Sequence, residues 1–256
     1  MNPKRGYQLH LSRGDTVLKN VEGRSRKFQK ILSVLKDFRP IKPSSIFLDI
    51  GCSSGVITSS LGEHFFRVIG FDIDREAVQY AKVHSSSPGV QFMLADAMTL
   101  PFKENSIDVI ICNHIYEHVP QAEELMEEIY RVLKESGVCY FAAGNKYMVI
   151  EGHYGLPFLS WLPKFLAHLY LKLTQKGDFY YESHRSLWGL RQLLRRFDLT
   201  DYTLPIIRDP EKFSATDIIH KDSFFYGCIQ LLAPVLYPWI PTYIWVLTKK
   251  RGNLEL

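Results

Sequence analysis

"IFLDIGCSSG", residues 46–55, decides the fold. Its first five residues are apolar except Asp49, and a strand that is apolar on both faces belongs in a buried parallel sheet. The run then enters a turn of two glycines and two serines. Gly51 and Gly55 free the backbone to come close to a ligand. The next residues, "VITSSLGEHF", read as a helix, whose first turn offers unpaired N–H groups and a positive dipole end. Strand, tight turn and helix make one α/β unit.

Working outward, the same unit recurs. "RVIGFDI" (67–73) is a second buried strand followed by the helical "REAVQYAKVHS". "VQFMLAD" (90–96), "IDVIICN" (107–113) and "GVCYFAAG" (137–144) continue the strands. Between the last two, "AEELMEEIYRVLKESG" reads as one long helix stopped by Gly137. Upstream, Phe28, Ile31, Leu32, Leu35 and Phe38 share one helical face, and Pro40 and Pro43 end that helix. Strands alternating with helices predict a mostly parallel sheet covered on both sides. After residue 145 the rhythm breaks. Residues 146–185 hold nine aromatics in forty, then "SLWGLRQLLRRF" resumes a helix, "DLTDYTLP" a strand and "TYIWVLTKK" a final strand. We expect a single domain over 1–256: a basic arm and helix (1–44), a cofactor-binding core (45–145), a cap insert (146–185) and the rest of the core (186–256) with a second insert at 206–241.

Composition narrows the function. A chain of 256 residues with 46% hydrophobic and 23% charged residues can bury a substantial core. Residues 1–40 carry ten Lys/Arg (Lys4, Arg5, Arg13, Lys19, Arg24, Arg26, Lys27, Lys30, Lys36, Arg39) against Asp15, Glu22 and Asp37. Such an arm suits phosphate-bearing partners, or is simply a solvated helix face. Cys52, Cys112, Cys139 and Cys228 form no Cys-x-x-Cys pair and read as small residues in a reducing compartment. The N-terminus, Met-Asn-Pro-Lys-Arg, lacks an apolar signal core, so a cytoplasmic place is expected, with membrane association open. The run Phe224–Leu247 has no charge, but Pro234, Pro238 and Pro241 argue against a spanning helix.

The polar groups collect at one place. Asp72 closes the second strand, Asp96 the third and Asn113 the fourth, so all lie with Asp49 at the carboxyl edge of one sheet. Open α/β sheets bind ligands there, and a carboxylate at Asp72 can accept both hydroxyls of a ribose. The dinucleotide pattern Gly-x-Gly-x-x-Gly fails at Ser53 and Val56, and there is no P-loop.

With these motifs in this order, the chain resembles the class I S-adenosylmethionine-dependent methyltransferases. "FLDIGCSSG" is similar to their glycine-rich first motif, with Ser53 replacing the middle glycine. "VIGFDID" is similar to the acidic second strand, "FMLADAMTLPFKENSIDVIICNHIYEHV" to the third- and fourth-strand motifs, and "RVLKESGVCYF" to the segment before the fifth strand. The resemblance implies a Rossmann-like sheet of seven strands, mostly parallel with the last antiparallel, carrying helical cap insertions. It implies S-adenosylmethionine as cofactor. Asp49 would orient the glycine loop and the methionine amino group. Gly51 and Gly55 would allow backbone approach, Asp72 would hold the ribose, Asp96 with Ala97 would face the adenine, and Asn113 would meet the amino group through its main chain. Cys52 and Ile73, beside these groups, are counted with the cofactor site. The Ser53 change is mild provided the turn needs no positive φ there.

One run remains. His114, Glu117 and His118 spell His-x-x-Glu-His, a zinc-peptidase signature. A peptidase would need both histidines on an established helix and a third ligand, whereas this run leaves a strand end and meets Pro120. Some ubiquinone-pathway O-methyltransferases hold a divalent metal through Glu-x-x-Glu-His in this loop. Here His114 stands at the first carboxylate, so no metal is assigned. His118 is the candidate catalytic base, with His153, Tyr154 and His184 behind it. The insert "NKYMVIEGHYGLPFLSWLPKFLAHLYLKL" looks like a cap over an acceptor pocket. In it Leu162, Phe165, Leu166, Leu169 and Leu173 form an apolar stripe that either packs on the core or rests on a lipid. The expected activity is methyl transfer, preferably to oxygen, on a small apolar or amphipathic acceptor such as a lipid, a glycan or another metabolite. RNA methylation and a non-catalytic cofactor-binding scaffold are the alternatives. Against nucleic acid, "NHIY" stands where amino-directed members carry Asn/Asp-Pro-Pro-Tyr/Phe.

Overall fold

Ile46–Ile50 forms β1 in the middle of the sheet, and its apolar residues Phe47, Leu48 and Ile50 are buried. A computed structural model describes residues 21–85, 87–219, 224 and 226–250. The cations Lys4, Arg5, Arg13 and Lys19 of the basic arm lie outside the described residues. The other strands are β2 (Arg67–Asp72), β3 (Val90–Leu94), β4 (Ile107–Asn113), β5 (Leu133–Gly144), β6 (Phe197–Asp201) and β7 (Thr242–Lys249). Their order is β3-β2-β1-β4-β5-β7-β6. The first five run parallel, and β7 is antiparallel to both β5 and β6. This is the expected seven-stranded Rossmann-like sheet.

Helices cover both faces because the strands are apolar on both. On one side α1 (Val21–Phe38) lays Phe28, Ile31 and Leu35 against Phe47, Val68, Val109 and Val246. On the same side α2 (Val56–Gly62) adds Ile57 and Leu61. On the other, α4 (Ala122–Val132) buries Leu125, Met126 and Ile129 beside Leu48, Ile110 and Phe141. The short α6 (Leu187–Leu193), started by Ser186 Oγ accepting from the Gly189 N–H, packs there too. Between β2 and β3, α3 (Arg75–His84) is capped by Asp74, whose side chain accepts from the Glu76 and Ala77 N–H groups.

Three expectations are corrected. The helix after β4 stops at Val132, not at Gly137. The N–H groups of Asn105 and Ser106 take the carbonyls of Arg131 and Val132, and Leu133 turns extended to pair with Ile107. Gly137 serves a different constraint: a Cβ there would lie 2.6 Å from Leu133 Cδ1 and 2.9 Å from the Lys134 carbonyl oxygen. The strand "DLTDYTLP" ends at Asp201, whose side chain accepts from the Thr203 N–H and turns the chain into α7 (Thr203–Arg208). The apolar stripe of the first insert does not pack on the core. In α5 (Lys164–Leu173) Ala167 and Leu171 face inward, while Phe165, Leu169 and Leu173 are 69%, 52% and 74% exposed.

The second insert holds α8 (Tyr226–Leu232), with no buried residue, and a 3-10 turn at Tyr237–Trp239. The two inserts meet at Asn145, whose Nδ2 donates to the carbonyls of Pro238 and Ile240 at 2.8 and 2.9 Å. Cys52, Cys112 and Cys139 are buried, whereas Cys228 on α8 is exposed; all four are free thiols. Among the described residues no helix is long and apolar enough to cross a membrane.

The close approach at Gly137 is testable. Gly137→Ala should destabilise the protein by about 1–3 kcal/mol, the usual cost of forcing a methyl into a packed site. Urea unfolding with an unchanged midpoint would show that this approach relaxes freely.

Candidate functional site

A cavity of about 730 Å³ opens at the carboxyl edge of β1, β2 and β4. Of the residues read from the sequence, Asp49, Gly51, Cys52, Asp72, Ile73, Asp96, Ala97, Asn113 and His118 all line it. Gly55 does not. It starts α2 at a φ of 76°, and a Cβ there would strike the Phe92 ring at 2.7 Å and Ala81 at 2.8 Å. Its constraint is close packing of helix on strand.

The turn after β1 is held by hydrogen bonds from three sides. The N–H groups of Gly51 and Cys52 both donate to the Phe71 carbonyl at 2.9 Å. The Ser53 N–H donates to Asp72 Oδ2 at 2.8 Å, and the Asp74 N–H donates to Oδ1 of the same carboxylate at 2.9 Å. Ser53 has a φ of 48°, so the proviso attached to this substitution is not met. A side chain in the left-handed region costs roughly 1–2 kcal/mol. Arg24, on α1, donates to Ser53 Oγ at 3.1 Å and so uses the hydroxyl that a glycine would lack. Gly51, at φ 71°, has no room for a Cβ, which would lie 2.2 Å from Ile115 Cδ1.

The acids here are unusual. Burial pushes the Asp49 carboxyl up to about 7, although the Thr58 hydroxyl donates to it at 2.6 Å and Arg24 lies near. Burial also raises Asp72, against the pull of the Asp74 and Ser53 N–H groups. Asp96, two residues beyond β3, accepts from the Met98 N–H at 2.9 Å.

The other end of the cavity is lined by His114, His118, Gly152, His153, Tyr154 and Glu182. His118 Nδ1 lies 3.8 Å from Glu182 Oε1, and the His118 ring meets the His153 ring edge-on at 4.8 Å. His153 Nδ1 is 2.8 Å from Glu151 Oε1, and that carboxylate also accepts from the His153 and Tyr154 N–H groups. His184 stands behind, its Nε2 3.3 Å from the same oxygen. His114 Nδ1 is 3.0 Å from Glu117 Oε1. Burial pushes the Glu117 carboxyl up, but the hydrogen bond from His114 and the surrounding histidines outweigh it and hold Glu117 down to about 2. Glu151 is likewise held well below the carboxylate range by His153 and His184, against its burial. Burial lowers the His118 imidazole from its ordinary value, against the pull of Glu117 and Glu182.

Comparison with known proteins agrees with this geometry. Residues 48–141 match the family model described as a methyltransferase domain. Over that stretch the chain is similar to the class I S-adenosylmethionine-dependent methyltransferases. The chain is 25% identical over 161 residues to the ubiquinone biosynthesis O-methyltransferase of Coxiella burnetii, covering 60% of this chain and 64% of that one. It is 28% identical over 114 residues to phosphoethanolamine N-methyltransferase 2 of Caenorhabditis elegans, covering 43% and 26%. The match therefore spans less than two thirds of either relative. In fold it is similar to the plantazolicin methyltransferase BpumL, solved with a substrate analogue and SAH, at a TM-score of 0.58 and 18% identity over 91% of this chain and 86% of that one.

S-adenosylmethionine is the cofactor that the matched methyltransferase domain implies. The residues present fit it: the Gly51 turn brings bare backbone to the cavity wall, and two acids, Asp49 and Asp72, line the wall beside it. Sequence reasoning missed Arg24 and Lys27, which reach the cavity from α1. Their signal was the basic run, read as a surface. It also missed Glu182, which nothing in the sequence marks.

Asp49 generates a prediction. Its folded pKa lies above the ordinary carboxylate value, so its stabilising contribution is complete below about pH 4. That contribution should fall as pH rises to about 7, by on the order of 1.4 kcal/mol per unit crossed. Asp49→Asn should flatten the pH dependence of urea unfolding between pH 4 and 7; identical slopes would refute the assignment.

Proposed function

We propose that this methyltransferase transfers the methyl of S-adenosylmethionine to an oxygen of a small, apolar or amphipathic acceptor, of lipid, glycan or other metabolite class. The observation that carries this reading is the continuity of the cavity. One space runs from Asp49 and Asp72 to His118, His153 and Glu182, the last two from the aromatic-rich insert.

When bound, S-adenosylmethionine supplies a methyl made electrophilic by its sulfonium. The residues then have four tasks. Asp72 would accept from the ribose hydroxyls, Asp49 and the Asn113 main chain would meet the amino group, Asp96 and Ala97 would face the adenine, and the Gly51–Cys52 backbone would give the close approach. His118 would contact the acceptor at the far end. An acceptor oxygen would take the methyl in line with the leaving sulfur, and a hydroxyl acceptor would give its proton to the His118 imidazole. Alignment and exclusion of water supply most of the acceleration, and the insert provides both as a cap.

The insert supports the acceptor class. Its α5 exposes Phe165, Leu169 and Leu173, with Lys172 in the last turn and Trp161 just upstream, a surface suited to apolar substrates or to resting on the lipid that carries them. The relatives' printed names, ubiquinone biosynthesis and phosphoethanolamine methylation, support a small acceptor without choosing it. The basic run does not favour nucleic acid. Arg24 and Lys27 line the cavity, Arg26 and Lys30 lie beside Asp217, and Arg39 donates to the Ser136 carbonyl.

Two measurements test the reading. Asp72→Ala should weaken S-adenosylmethionine binding by about 1.5–3 kcal/mol through lost charge-assisted hydrogen bonds, as read by calorimetry on folded protein. Unchanged affinity would sink the cofactor assignment. Labelled donor supplied with cell extract should label a lipid, glycan or small-molecule fraction. His118→Ala should reduce the rate of that labelling while leaving cofactor affinity alone. Label in RNA alone would overturn the acceptor class.

A further inference from the structure

Three separated segments converge at the acceptor end of the cavity, and each is pinned there. The loop after β4 brings His118. The turn at 151–154 brings His153, held by the Glu151 carboxylate. The segment before α6 brings Glu182, whose backbone is fixed by Lys164 Nζ donating to the carbonyls of Tyr180, Tyr181 and Glu182. The Ser183 N–H donates to the Glu117 carbonyl at 2.8 Å and the Arg185 N–H to the Tyr116 hydroxyl at 3.0 Å, tying that segment to the loop. One donor atom from each of His118, His153 and Glu182 lies within 4.8 Å of the other two. Ligands about 2.0–2.2 Å from a common centre lie roughly 3.3–3.6 Å apart in a tetrahedron, so the three side chains would draw together by about 1 Å or less around an ion.

We propose that His118, His153 and Glu182 bind a divalent transition-metal ion, with its remaining positions open to the cavity. The inference rests on the methyl-transfer reading only for what the ion would do, not for where it sits. All three side chains line the cavity, and three protein ligands with open positions is the arrangement of a metal site that acts on a substrate.

The surroundings of the site point the same way. A ligating histidine commonly gives its other ring N–H to a carboxylate, which fixes the tautomer. Glu151 stands 2.8 Å from His153 Nδ1, which leaves Nε2 as the lone-pair nitrogen. Glu151 is itself fully buried and anchored by two main-chain N–H groups and by His184. Glu117 is turned to His114 and is not a ligand, so the site is not the His-x-x-Glu-His run acting alone. Two of its three donors come from the insert.

Charge balance is the second argument. Glu117, Glu151 and Glu182 are each at most 2% exposed, and a histidine stands beside each of them. A divalent ion would add positive charge among three buried carboxylates. Two imidazoles with one carboxylate suit zinc, manganese or iron(II) rather than magnesium, which prefers oxygen ligands. An ion here would hold an acceptor oxygen near the methyl and ease the loss of its proton. It would also make His118 a ligand in place of a proton acceptor.

The test is calorimetric titration of Zn²⁺ into the full, untagged chain stripped with chelator, with elemental analysis of the re-dialysed protein. One equivalent should bind. His153→Ala and Glu182→Gln should each weaken binding at least about tenfold, while S-adenosylmethionine affinity, measured on the same samples, stays unchanged and shows that both variants are folded. No saturable zinc binding, or binding unaltered in both variants, overturns the site. Wild-type protein that binds S-adenosylmethionine but shows no saturable zinc binding overturns this inference and leaves the methyltransferase reading standing. Zinc bound at these residues by protein that never binds S-adenosylmethionine supports the site and removes the reading.

Discussion

The Asp72 carboxylate is the interaction on which the site depends. One oxygen takes the Ser53 N–H and the other the Asp74 N–H, so a single side chain fixes both the turn after β1 and the start of α3. Burial makes an ionised group at this place costly, and the two main-chain donors offset much of that cost. The left-handed Ser53 is tolerable because its N–H and its hydroxyl are both engaged. Without that pin the glycine turn would be left with the Gly51 and Cys52 bonds to the Phe71 carbonyl and the contact from Arg24.

The sequence was most legible where burial acts on both faces of a strand. Leu48, Ile110 and Phe141 sit in continuous apolar runs, and such runs have few other uses, so the parallel core and its carboxyl-edge acids could be read directly. Helix ends were less legible. Nothing in "RVLKESG" forbids helix, and the stop at Val132 comes from Asn105 and Ser106, each 26 residues before its partner, capturing its last carbonyls. The direction of α5 could not be read either. Its stripe looks like a core face, but the residues that the helix buries are Ala167 and Leu171.

The site divides in the same way. Its cofactor half follows the order of strands, and every group in it is a strand-end residue or its neighbour. Its acceptor half is built from side chains far apart in the chain, such as His118 and Glu182, brought together by main-chain ties between the insert and the loop after β4. No spacing rule reports such ties. Arg24 and Lys27 show a related limit, because a cation on a helix looks the same whether it faces solvent or a cavity.

The place of β7 has a consequence for the order of assembly. It is the last strand in the chain, yet it lies between β5 and β6 and pairs with both. Asn145, where the first insert begins, bonds to the carbonyls of Pro238, Ile240 and Pro241 just ahead of that strand. During synthesis, then, β1–β4 and the turn carried by Asp72 can close early, as a nearly local set of contacts. The first insert acquires its anchor at Asn145 only when the end of the chain slots home. The cofactor half of the molecule is thus built before the acceptor half, and damage near the C-terminus should spare the first while undoing the second.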